Sequence, residues 1–424
     1  MLELKTIISN PAHVIERLKV KNVNAEEMVS QIIELDKKKR ALQVQIENLK
    51  AEQNQSAKQI GNLFKEGKVE DANKLKERST EIKEQIKILE EKFTPIDKEI
   101  NELIVKLPNL PHQSVPKGNS EKDNEIIKEG GSTPTLTGEV LPHWDLAAKY
   151  DIIDFELGNK ITGAGFPVYK DKGARLQRAL IWYFLDEAKK AGYKEHWMPL
   201  MVNEDTAYAT GQLPDKEGQM YYTEKDNFYL IPTAEVPLTN IYRDVILSEE
   251  ELPIKLTGYT PCFRREAGSY GKDVRGLNRV HQFDKVEFVA IIQKEKSYDW
   301  LDTMVAHVEH LVQSLGLQYR IVRLCGGDLS FTSALTYDFE VYSAAQEKWL
   351  EVSSVSNFET FQSNRLKLRY KAKGQKKTEL LHTLNGSALA LPRIVAALLE
   401  NNQTEKGIKI PEVLVPYTGF EYID

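Results

Sequence analysis

Two long heptad repeats most strongly limit what the first quarter of this 424-residue chain can fold into. Apolar residues recur at alternating steps of four and three over residues 28–63, and the pattern returns over residues 72–107. Such spacing produces one apolar stripe along an α-helix. Two runs of similar length, separated by a break at residues 66–68, predict an antiparallel coiled-coil hairpin over about residues 28–105. Pro95 is expected to kink its second helix or to break a backbone hydrogen bond locally.

The charge distribution argues against a protein that binds nucleic acid through its overall positive charge. The formal net charge is −6, although residues 1–110 are nearly neutral and the acidic excess lies in the remainder. Residues 37–40, Lys-Lys-Lys-Arg, form the densest basic cluster of the predicted hairpin. Two interpretations of this cluster stay open: a solvated helix face, or a set of phosphate contacts along an extended rod.

The cysteine content and the distribution of apolar residues indicate the cellular compartment of the protein. Cys262 and Cys325 are the two cysteines of the chain, too few for a disulfide framework or for a zinc site of four thiolates. No stretch of the sequence reaches the length of a membrane span, and the first twenty residues lack a long apolar core. We therefore expect a cytoplasmic protein with no membrane association.

The chain divides into three segments of different composition. We predict a domain at residues 1–110 that contains the hairpin, a linker at residues 111–140 rich in loop-forming residues, and a large domain at residues 141–424. The large domain shows many short β-like runs with few helical patterns between them, which favours an α+β fold on a largely antiparallel sheet. Amphipathic helices are predicted at residues 171–191, 298–315 and 388–401.

Residues 260–289, TPCFRREAGSYGKDVRGLNRVHQFDKVEFV, are the strongest candidate for a chemical site. A β-like run ends in Arg264-Arg265-Glu266, a loop rich in Gly and Arg follows, and the next β-like run contains Phe283. Arginines at a strand end, together with an aromatic ring, are suited to holding a nucleotide by its phosphates and its base. On composition alone, a charged β-hairpin loop is an equally good interpretation.

This segment resembles motif 2 of the class II aminoacyl-tRNA synthetases, and its continuation RVHQFDKVE resembles the bacterial seryl-tRNA synthetases. The helix ending in AGYKEHWMPLMV resembles motif 1, and IPTAEVPLTN resembles the amino-acid-binding segment. TYDFEVYSAAQEKWLEVSSVSN resembles the strand that binds ATP and metal, and LHTLNGSALALPRIVAALLENNQ resembles motif 3. The predicted hairpin is similar to the tRNA-binding arm of the family. The resemblance covers essentially the whole chain and implies an antiparallel sheet flanked by helices.

The resemblance implies an ATP site in which Arg264 clamps the α-phosphate and the substrate carboxylate. In that site Glu266 contacts the adenine amino group, Phe283 stacks on adenine, and Arg393 closes the opposite face and reaches the γ-phosphate, with Arg279 as a second γ-phosphate ligand. The positions implied for ATP are Arg264, Arg265, Glu266, Arg279, Phe283, Glu351, Val352, Ser353, Ser354 and Arg393. Those implied for catalysis are Arg264, Glu351 and Arg393.

A Mg²⁺ site and a serine pocket are implied as well. Glu351 and Ser354 occupy the positions that hold Mg²⁺ in the family, and oxygen ligands suit that ion. A pocket whose polar groups require the substrate hydroxyl would reject alanine, and a small pocket would exclude threonine. Zinc is not implied, since neither cysteine lies in a cluster of ligands. The positions implied for serine are Thr233, Ala234, Glu235, Arg264, Glu287, Asn385 and Ser387.

The implied activity is the ATP-dependent ligation of L-serine to tRNA. Serine and ATP would form seryl-adenylate and pyrophosphate, and the serine would then pass to the 3′ end of tRNA(Ser), with tRNA(Sec) as a further candidate. A homodimer formed through motif 1 is implied as well. One alternative is a synthetase-like paralogue that charges a carrier protein, but such a protein would lack the long arm. Another is a structural coiled-coil protein. Five residues that are present together argue against it: Arg264, Glu266, Glu287, Glu351 and Arg393.

Overall fold

The computed structural model describes residues 1–136, 138–215, 218–266 and 275–424. The candidate segment 260–289 and the predicted linker 111–140 therefore each include residues outside the described ranges. The described chain divides into two compact units. The smaller unit comprises residues 2–19 and 23–108, and the larger unit comprises Met1, residues 20–22 and residues 109–424.

Long helices dominate the first quarter of the chain, whereas helices and short strands alternate through the remainder. The helices are α1 (Leu4–Ser9), α2 (Pro11–Val20), α3 (Glu26–Lys65), α4 (Val69–Val105), α5 (His143–Lys149), α6 (Phe155–Ile161), α7 (Asp171–Lys190), α8 (Glu204–Thr210), α9 (Glu235–Asn240), α10 (Ser297–Ser314), α11 (Phe361–Leu366), α12 (Leu391–Asn401) and α13 (Val415–Thr418). The strands are β1 (Glu125–Gly130), β2 (Ile153–Asp154), β3 (Val168–Tyr169), β4 (Lys194–Glu195), β5 (Met201–Val202), β6 (Tyr222–Thr223), β7 (Phe228–Leu230), β8 (Ile246–Ser248), β9 (Ile254–Phe263), β10 (Gln282–Ile292), β11 (Tyr319–Arg323), β12 (Leu335–Ser343), β13 (Lys348–Asn357), β14 (Arg369–Lys371), β15 (Glu379–Leu380), β16 (His382–Ala390), β17 (Gln403–Thr404), β18 (Gly407–Lys409) and β19 (Tyr422–Ile423). Within the described ranges, no helix has both the length and the apolar character needed to cross a membrane.

Helices α3 and α4 of the smaller unit pack along each other and span the two heptad runs. The chain reverses at Gly67, whose φ of +75° is readily adopted only by a residue without a side chain. Ile46, Ile82 and Ile86 form a buried apolar cluster between the two helices. Helix α4 continues through Pro95 as a single helix. The long helical arm expected from the heptads is confirmed.

Ion pairs between the two helices show their relative direction. Lys39 pairs with Asp97, and Lys50 Nζ lies 2.8 Å from Glu90 Oε1. The partner's number falls along α4 as the residue number rises along α3, so the helices run antiparallel. Lys39 stands at a position of the apolar stripe, where a polar residue restricts the register of the pair. A shifted register would separate this partly buried ammonium from its carboxylate.

The larger unit is built on an eight-stranded sheet with the order β1-β11-β12-β13-β16-β10-β9-β4. Neighbouring strands pair antiparallel, except that β4 runs parallel to β9. The predicted α+β architecture on a largely antiparallel sheet is therefore confirmed. Strands close in space are often distant along the chain, as β13 and β16 are, so the sheet gathers residues from several sequence segments.

One face of this sheet carries the main apolar core. Phe288 of β10, Phe339 of β12 and Leu384 of β16 pack in one cluster with residues of α7, α10 and α12. Because side chains alternate along a strand, the neighbours of these residues point to the opposite face. Glu287 and Asn385 are such neighbours. The opposite surface thus carries polar side chains around Glu287 and Asn385, a region that we call the polar face. Farther along β10 the same surface packs in a second apolar cluster.

The structure differs from the sequence-based expectations at two places. Strand β1 lies within the predicted linker, pairs with β11 at the edge of the sheet, and belongs to the larger unit. Its sequence, EIIKEG, has no apolar alternation and so carries no strand signal. The third predicted helix begins later than expected, because Ala388–Ala390 end strand β16 and α12 begins at Leu391. Pro392, in the first turn of α12, suits a helix start.

Candidate active site

Glu287 lies at the centre of a buried pocket on the polar face. Its carboxylate accepts hydrogen bonds from the hydroxyls of Thr233 and Ser387, both at 3.2 Å, and from the Asn385 amide at 3.0 Å. The antiparallel register of β10 and β16 places Ser387 directly opposite Glu287. Buried carboxylates are tolerated where donors of this kind replace water. Four of the residues predicted to bind serine are thus in mutual contact.

Lys285 completes the surroundings of Glu287, and the sequence analysis did not identify it. Its Nζ lies 2.7 Å from Glu287 Oε2, and both side chains are buried. The sequence FDKVEF does contain a signal, since residues two positions apart on a strand share one face. Without Lys285, the buried carboxylate of Glu287 would be an uncompensated charge. Lys285 is therefore part of the pocket.

A second buried carboxyl group, that of Glu235, lies in the same pocket. Glu235 begins α9 and accepts hydrogen bonds from Gln362 Nε2 at 2.6 Å and from Asn385 Nδ2 at 2.8 Å. The Asn385 amide therefore bridges Glu235 and Glu287. Burial, reinforced by the negative charge of Glu287, raises the pKa of Glu235 to about 7. Gln362 comes from α11, and no motif in the sequence pointed to it.

Arg264 and Phe283 lie beside each other where β9 and β10 pair. Arg264 directly follows β9, and its guanidinium carbon is 5.3 Å from the centre of the Phe283 ring. A guanidinium over an aromatic face is attracted by the electron density of the ring. The Nε of Arg264 also donates to the carbonyl of Pro232 at 3.4 Å, which connects Arg264 to the segment carrying Thr233. Two predicted nucleotide contacts therefore adjoin the Glu287 pocket.

Glu266 and Arg279 flank the residues that lie outside the described ranges, and they form an ion pair of 3.3 Å. The φ of Glu266 is +48°, a conformation that is disfavoured for any residue with a side chain. Such a conformation costs about 1–3 kcal/mol and persists only where neighbouring contacts impose it. One of these contacts is the hydrogen bond of 2.9 Å from the Arg265 backbone N–H to the Gln219 carbonyl.

Arg393 reaches Glu351 from the first turn of α12. Its Nη1 donates to the backbone carbonyl of Glu351 at 2.7 Å and lies 3.6 Å from the carboxylate Oε2. Its Nε donates to the carbonyl of Asn278 at 3.1 Å. Two of the three predicted catalytic residues are therefore adjacent, whereas Arg264 packs on the Phe283 ring instead.

Strands β12 and β13 provide oxygen atoms that suit a divalent cation. Ser354 lies opposite Asp338, a residue that the sequence analysis missed. Burial raises the pKa of Asp338 well above its usual range, and the Glu351 carboxylate adds to this effect. Among the described residues, Asp338 Oδ1 is a buried atom without a hydrogen-bond partner. Mg²⁺ prefers oxygen ligands of this kind, so the donor set fits the predicted ion.

That donor set is small, which limits how a cation would be held. Within the described ranges, no three His, Cys, Asp or Glu side chains are arranged to hold a metal ion. Mg²⁺ is commonly bound by one or two carboxylates together with substrate phosphates and water. Glu351 and Ser354 fit that mode, in which a nucleotide supplies the remaining ligands.

Three of the predicted positions turn their side chains away from the polar face or into other contacts. Ala234 and Val352 are buried in apolar clusters, so only their backbone atoms are available to a substrate. The hydroxyl of Ser353 donates to the backbone carbonyl of Ser387 at 2.7 Å. These residues therefore stabilise the segments on which Glu235, Ser354 and Ser387 lie.

Comparison with known proteins identifies the family. The family model described as tRNA synthetase class II core domain (G, H, P, S and T) matches residues 220–402, and that of the seryl-tRNA synthetase N-terminal domain matches residues 1–111. The protein named serine–tRNA ligase from Salinibacter ruber is 49% identical over 424 residues, covering 100% of this chain and 99% of the relative. The chain belongs to the seryl-tRNA synthetase family. The serine–tRNA ligase from Methylacidiphilum infernorum is 47% identical and covers 100% of both chains.

Solved seryl-tRNA synthetase structures share this fold. The seryl-tRNA synthetase from Pyrococcus horikoshii, complexed with ATP, has a TM-score of 0.91 at 34% identity, covering 99% of each chain. The cytoplasmic serine–tRNA ligase from Naegleria fowleri, in complex with AMP, has a TM-score of 0.88 at 28% identity, covering 100% of this chain and 99% of the other. The similarity extends through the arm, which disfavours the alternative of a carrier-protein-charging paralogue without it.

The raised pKa of Glu235 predicts a pH dependence of stability. The folded protein binds the Glu235 proton more tightly than the unfolded chain, so this contribution is full below about pH 4.5 and is lost as pH rises through about 7. Its size is on the order of 3 kcal/mol. The free energy of urea unfolding, measured from pH 4.5 to 8, should fall with pH more steeply in the unmodified protein than in Glu235→Gln.

The variant Glu204→Gln is the control, since Glu204 is exposed and its substitution only removes one acidic charge. It should keep the steeper slope of the unmodified protein. If Glu235→Gln kept that slope as well, the carboxyl group of Glu235 would not be the one that titrates in this range.

Proposed function

We propose that this protein ligates L-serine to tRNA(Ser) in two steps on the polar face of its sheet. The observation that carries the proposal is the buried pocket around Glu287, where carboxyl groups, hydroxyls and an amide converge beside Arg264. These groups suit a small zwitterion that bears a hydroxyl. Membership of the seryl-tRNA synthetase family, at 49% identity to a serine–tRNA ligase, supports serine as that substrate.

In the proposed first step, a carboxylate oxygen of serine attacks the α-phosphorus of ATP in line with the leaving group. The bond from the α-phosphorus to the bridging oxygen breaks, so the products are seryl-adenylate and pyrophosphate. The protein mainly positions two anions and stabilises the charge that develops between them. The planar guanidinium of Arg264 suits this task, because it can donate to an oxygen of each anion at once.

Serine selection follows from the pocket. We assign the substrate ammonium to the carboxyl groups of Glu287 and Glu235, and the substrate hydroxyl to the surrounding polar groups of Thr233, Asn385 and Ser387. An alanine molecule would leave one of these buried polar groups without a partner, which costs more than the lost contact alone. We expect the pocket to be too small for the additional methyl group of threonine.

For the nucleotide, we assign adenine to the Phe283 ring and to Glu266, and the γ-phosphate to Arg279 and Arg393. Glu351 and Ser354 would hold Mg²⁺ against the phosphates. When bound, the ion neutralises phosphate charge and orients the pyrophosphate leaving group. The exposed carboxylate of Glu351 and the guanidinium of Arg393 are adjacent, which supports their joint role at the phosphates.

In the proposed second step, a hydroxyl of the terminal ribose of tRNA attacks the carbonyl carbon of seryl-adenylate and AMP departs. We assign tRNA binding to the α3–α4 hairpin, with tRNA(Sec) as a second candidate acceptor. Most of the basic cluster at residues 37–40 is engaged within the hairpin: Lys37 lies 2.7 Å from Glu34, Arg40 lies 2.6 Å from Asp36, and Lys39 pairs with Asp97. This pairing favours recognition of RNA shape by a rigid rod over a simple basic patch.

We also propose a homodimer formed through motif 1 and a cytoplasmic location. Trp182 of α7 and Trp197 are 53% and 82% exposed, and both line a cavity of about 470 Å³ together with Tyr259 and Tyr417. Large exposed aromatic side chains grouped around a cavity are typical of a protein interface. The free cysteines Cys262 and Cys325 agree with a reducing compartment.

Serine-dependent exchange of pyrophosphate into ATP tests the proposed function most directly. We expect exchange with L-serine and at least about a hundredfold lower kcat/KM with alanine or threonine, because alanine leaves polar groups unpaired and threonine clashes with the pocket wall. Exchange without added amino acid is the background control. Equal stimulation by serine and alanine would contradict the proposed substrate.

Two single substitutions test the assigned roles at the reacting atoms. Arg264→Ala and Glu351→Ala should each reduce serine-dependent exchange by about two orders of magnitude or more. The first removes a positive charge at the phosphates, and the second removes a ligand for Mg²⁺. Both variants should unfold at close to the normal temperature, because Arg264 is only partly buried and Glu351 is exposed. Glu347→Ala, an exposed substitution close to β13, is the matched control. Near-normal exchange in either test variant would refute its assignment.

Removing the hairpin separates the two steps. Replacement of residues 28–105 by a short linker should leave serine-dependent exchange within about twofold, because the pocket lies wholly in the larger unit. The same variant should fail to charge tRNA, which we would measure with total tRNA and labelled serine. Charging at the normal rate would exclude a role for the hairpin in tRNA binding.

A further inference from the structure

A fully buried histidine and glutamate, His143 and Glu400, belong to none of the proposed substrate contacts. His143 begins α5, and Glu400 lies near the end of α12. The Nδ1 of His143 is 2.6 Å from Glu400 Oε1, which also accepts the backbone N–H of His143 at 2.9 Å. Ser343 donates to the other carboxylate oxygen. This pair therefore joins the first turn of α5 to the end of the motif 3 helix.

The other nitrogen of the His143 ring holds the end of the motif 2 segment. The backbone N–H of Leu277 points to His143 Nε2 at 2.8 Å. An N–H can only donate, so Nε2 must be the unprotonated nitrogen and Nδ1 carries the proton that is donated to Glu400. The neutral ring thus accepts from the motif 2 segment and donates to the motif 3 helix, and Glu400 selects the tautomer that makes this possible.

Two further contacts fix the same end of the segment on α5. Gly276 has a φ of +67°, and a Cβ at this position would lie 2.2 Å from His143 Nε2. A larger residue is therefore excluded both by its backbone conformation and by the ring. The guanidinium of Arg275 lies 4.6 Å from the centre of the Trp144 ring. Residues 275–277 are consequently seated on the first two residues of α5.

These contacts close into a ring of hydrogen bonds. Asn278 Nδ2 donates to Gln346 Oε1 at 2.8 Å, and Gln346 Nε2 donates to Glu400 Oε1 at 2.9 Å. Since Asn278 follows Leu277 directly, the chain of contacts returns to His143. The backbone carbonyl of Asn278 lies outside this ring and accepts a hydrogen bond from Arg393 Nε at 3.1 Å. The Asn278 carbonyl therefore links the ring to the Arg393 guanidinium, which in turn contacts Glu351.

We propose that His143 and Glu400 are positioning residues for ATP, which hold the Leu277–Asn278 backbone so that it orients the Arg393 guanidinium. This inference rests on the proposed function, in which Arg393 contacts the γ-phosphate. An arginine side chain has several rotatable bonds, and its use as a phosphate clamp requires that its Nε be fixed. The Asn278 carbonyl provides that fixed acceptor, and the buried pair fixes the carbonyl.

The serine pocket does not share these contacts. Glu287 lies on β10, Ser387 lies on β16, and Thr233 lies in the segment before α9. The Glu287 carboxylate is bound by Thr233, Ser387, Asn385 and Lys285, and none of these residues belongs to the hydrogen-bonded ring around His143. Disturbing that ring should therefore weaken ATP use selectively. A displacement of about 1 Å at a substrate-orienting group can change rates by up to about a hundredfold.

The test measures KM for ATP and KM for serine separately in the pyrophosphate exchange reaction of the full-length protein. Glu400→Ala and His143→Ala should raise KM for ATP by about tenfold or more and change KM for serine by less than about twofold. Glu400→Gln should restore KM for ATP to within about threefold of normal, because its amide oxygen accepts from His143 Nδ1 and its amide N–H can donate to Ser343.

Gly276→Ala provides a second route that leaves both buried side chains in place. It should raise KM for ATP in the same selective way, since the new methyl group must push residues 275–278 off the His143 ring. His382→Ala is the matched control, because His382 is also a buried histidine, 2.8 Å from the Ser297 hydroxyl, but lies outside the ring. It should lower the melting temperature and leave both KM values within about twofold.

The outcomes separate this inference from the proposed function. An unmodified protein without serine-dependent exchange would contradict the proposed function itself. An active unmodified protein whose Glu400→Ala and Gly276→Ala variants have normal KM for ATP would overturn the positioning role alone. Equal increases in both KM values, or failure of Glu400→Gln to restore what Glu400→Ala loses, would reduce the pair to a merely structural element and likewise overturn it.

Discussion

The burial of two carboxyl groups, those of Glu287 and Glu235, within reach of a single Asn385 amide is the constraint on which the larger unit depends. Two such groups cannot both be charged in a dry site without compensation. Lys285 compensates Glu287 directly, while burial raises the pKa of Glu235 to about 7. The pocket therefore depends on the contacts that bring β10, β16, α9 and α11 together.

The strands of the sheet that form this pocket also contribute side chains to the apolar core. Phe288 packs into the core while its neighbour Glu287 faces the pocket, and Leu384 and Asn385 repeat the arrangement on β16. A functional side chain is thus carried by backbone that a large apolar core immobilises from the other side. The same logic explains why the side chain of Val352, although adjacent to Glu351, packs in the apolar core.

Glu351 and Arg393 depend on a different kind of support. Arg393 is oriented by a backbone carbonyl, and that carbonyl belongs to a segment seated on His143. In the smaller unit, a narrow apolar seam holds the two long helices together, and the Lys39–Asp97 ion pair at one position of the seam fixes their register. Apolar burial supplies most of the stability in both units, whereas paired polar groups select one arrangement among several similar ones.

The heptads and the succession of short strands are local patterns, so the sequence alone predicted the hairpin and the α+β fold. The residues around Glu287 were implied by the resemblance of the motif segments to a known family. Lys285 was also within reach of such reasoning, since it shares a strand face with Glu287. Gln362, and the contact between His143 and Glu400, were not. Their partners are far apart along the chain, and no periodicity or spacing encodes which distant hydrogen-bonding groups will meet. Only the tertiary structure decided these contacts, because each buried polar group must find its partner after the sheet has brought distant segments together.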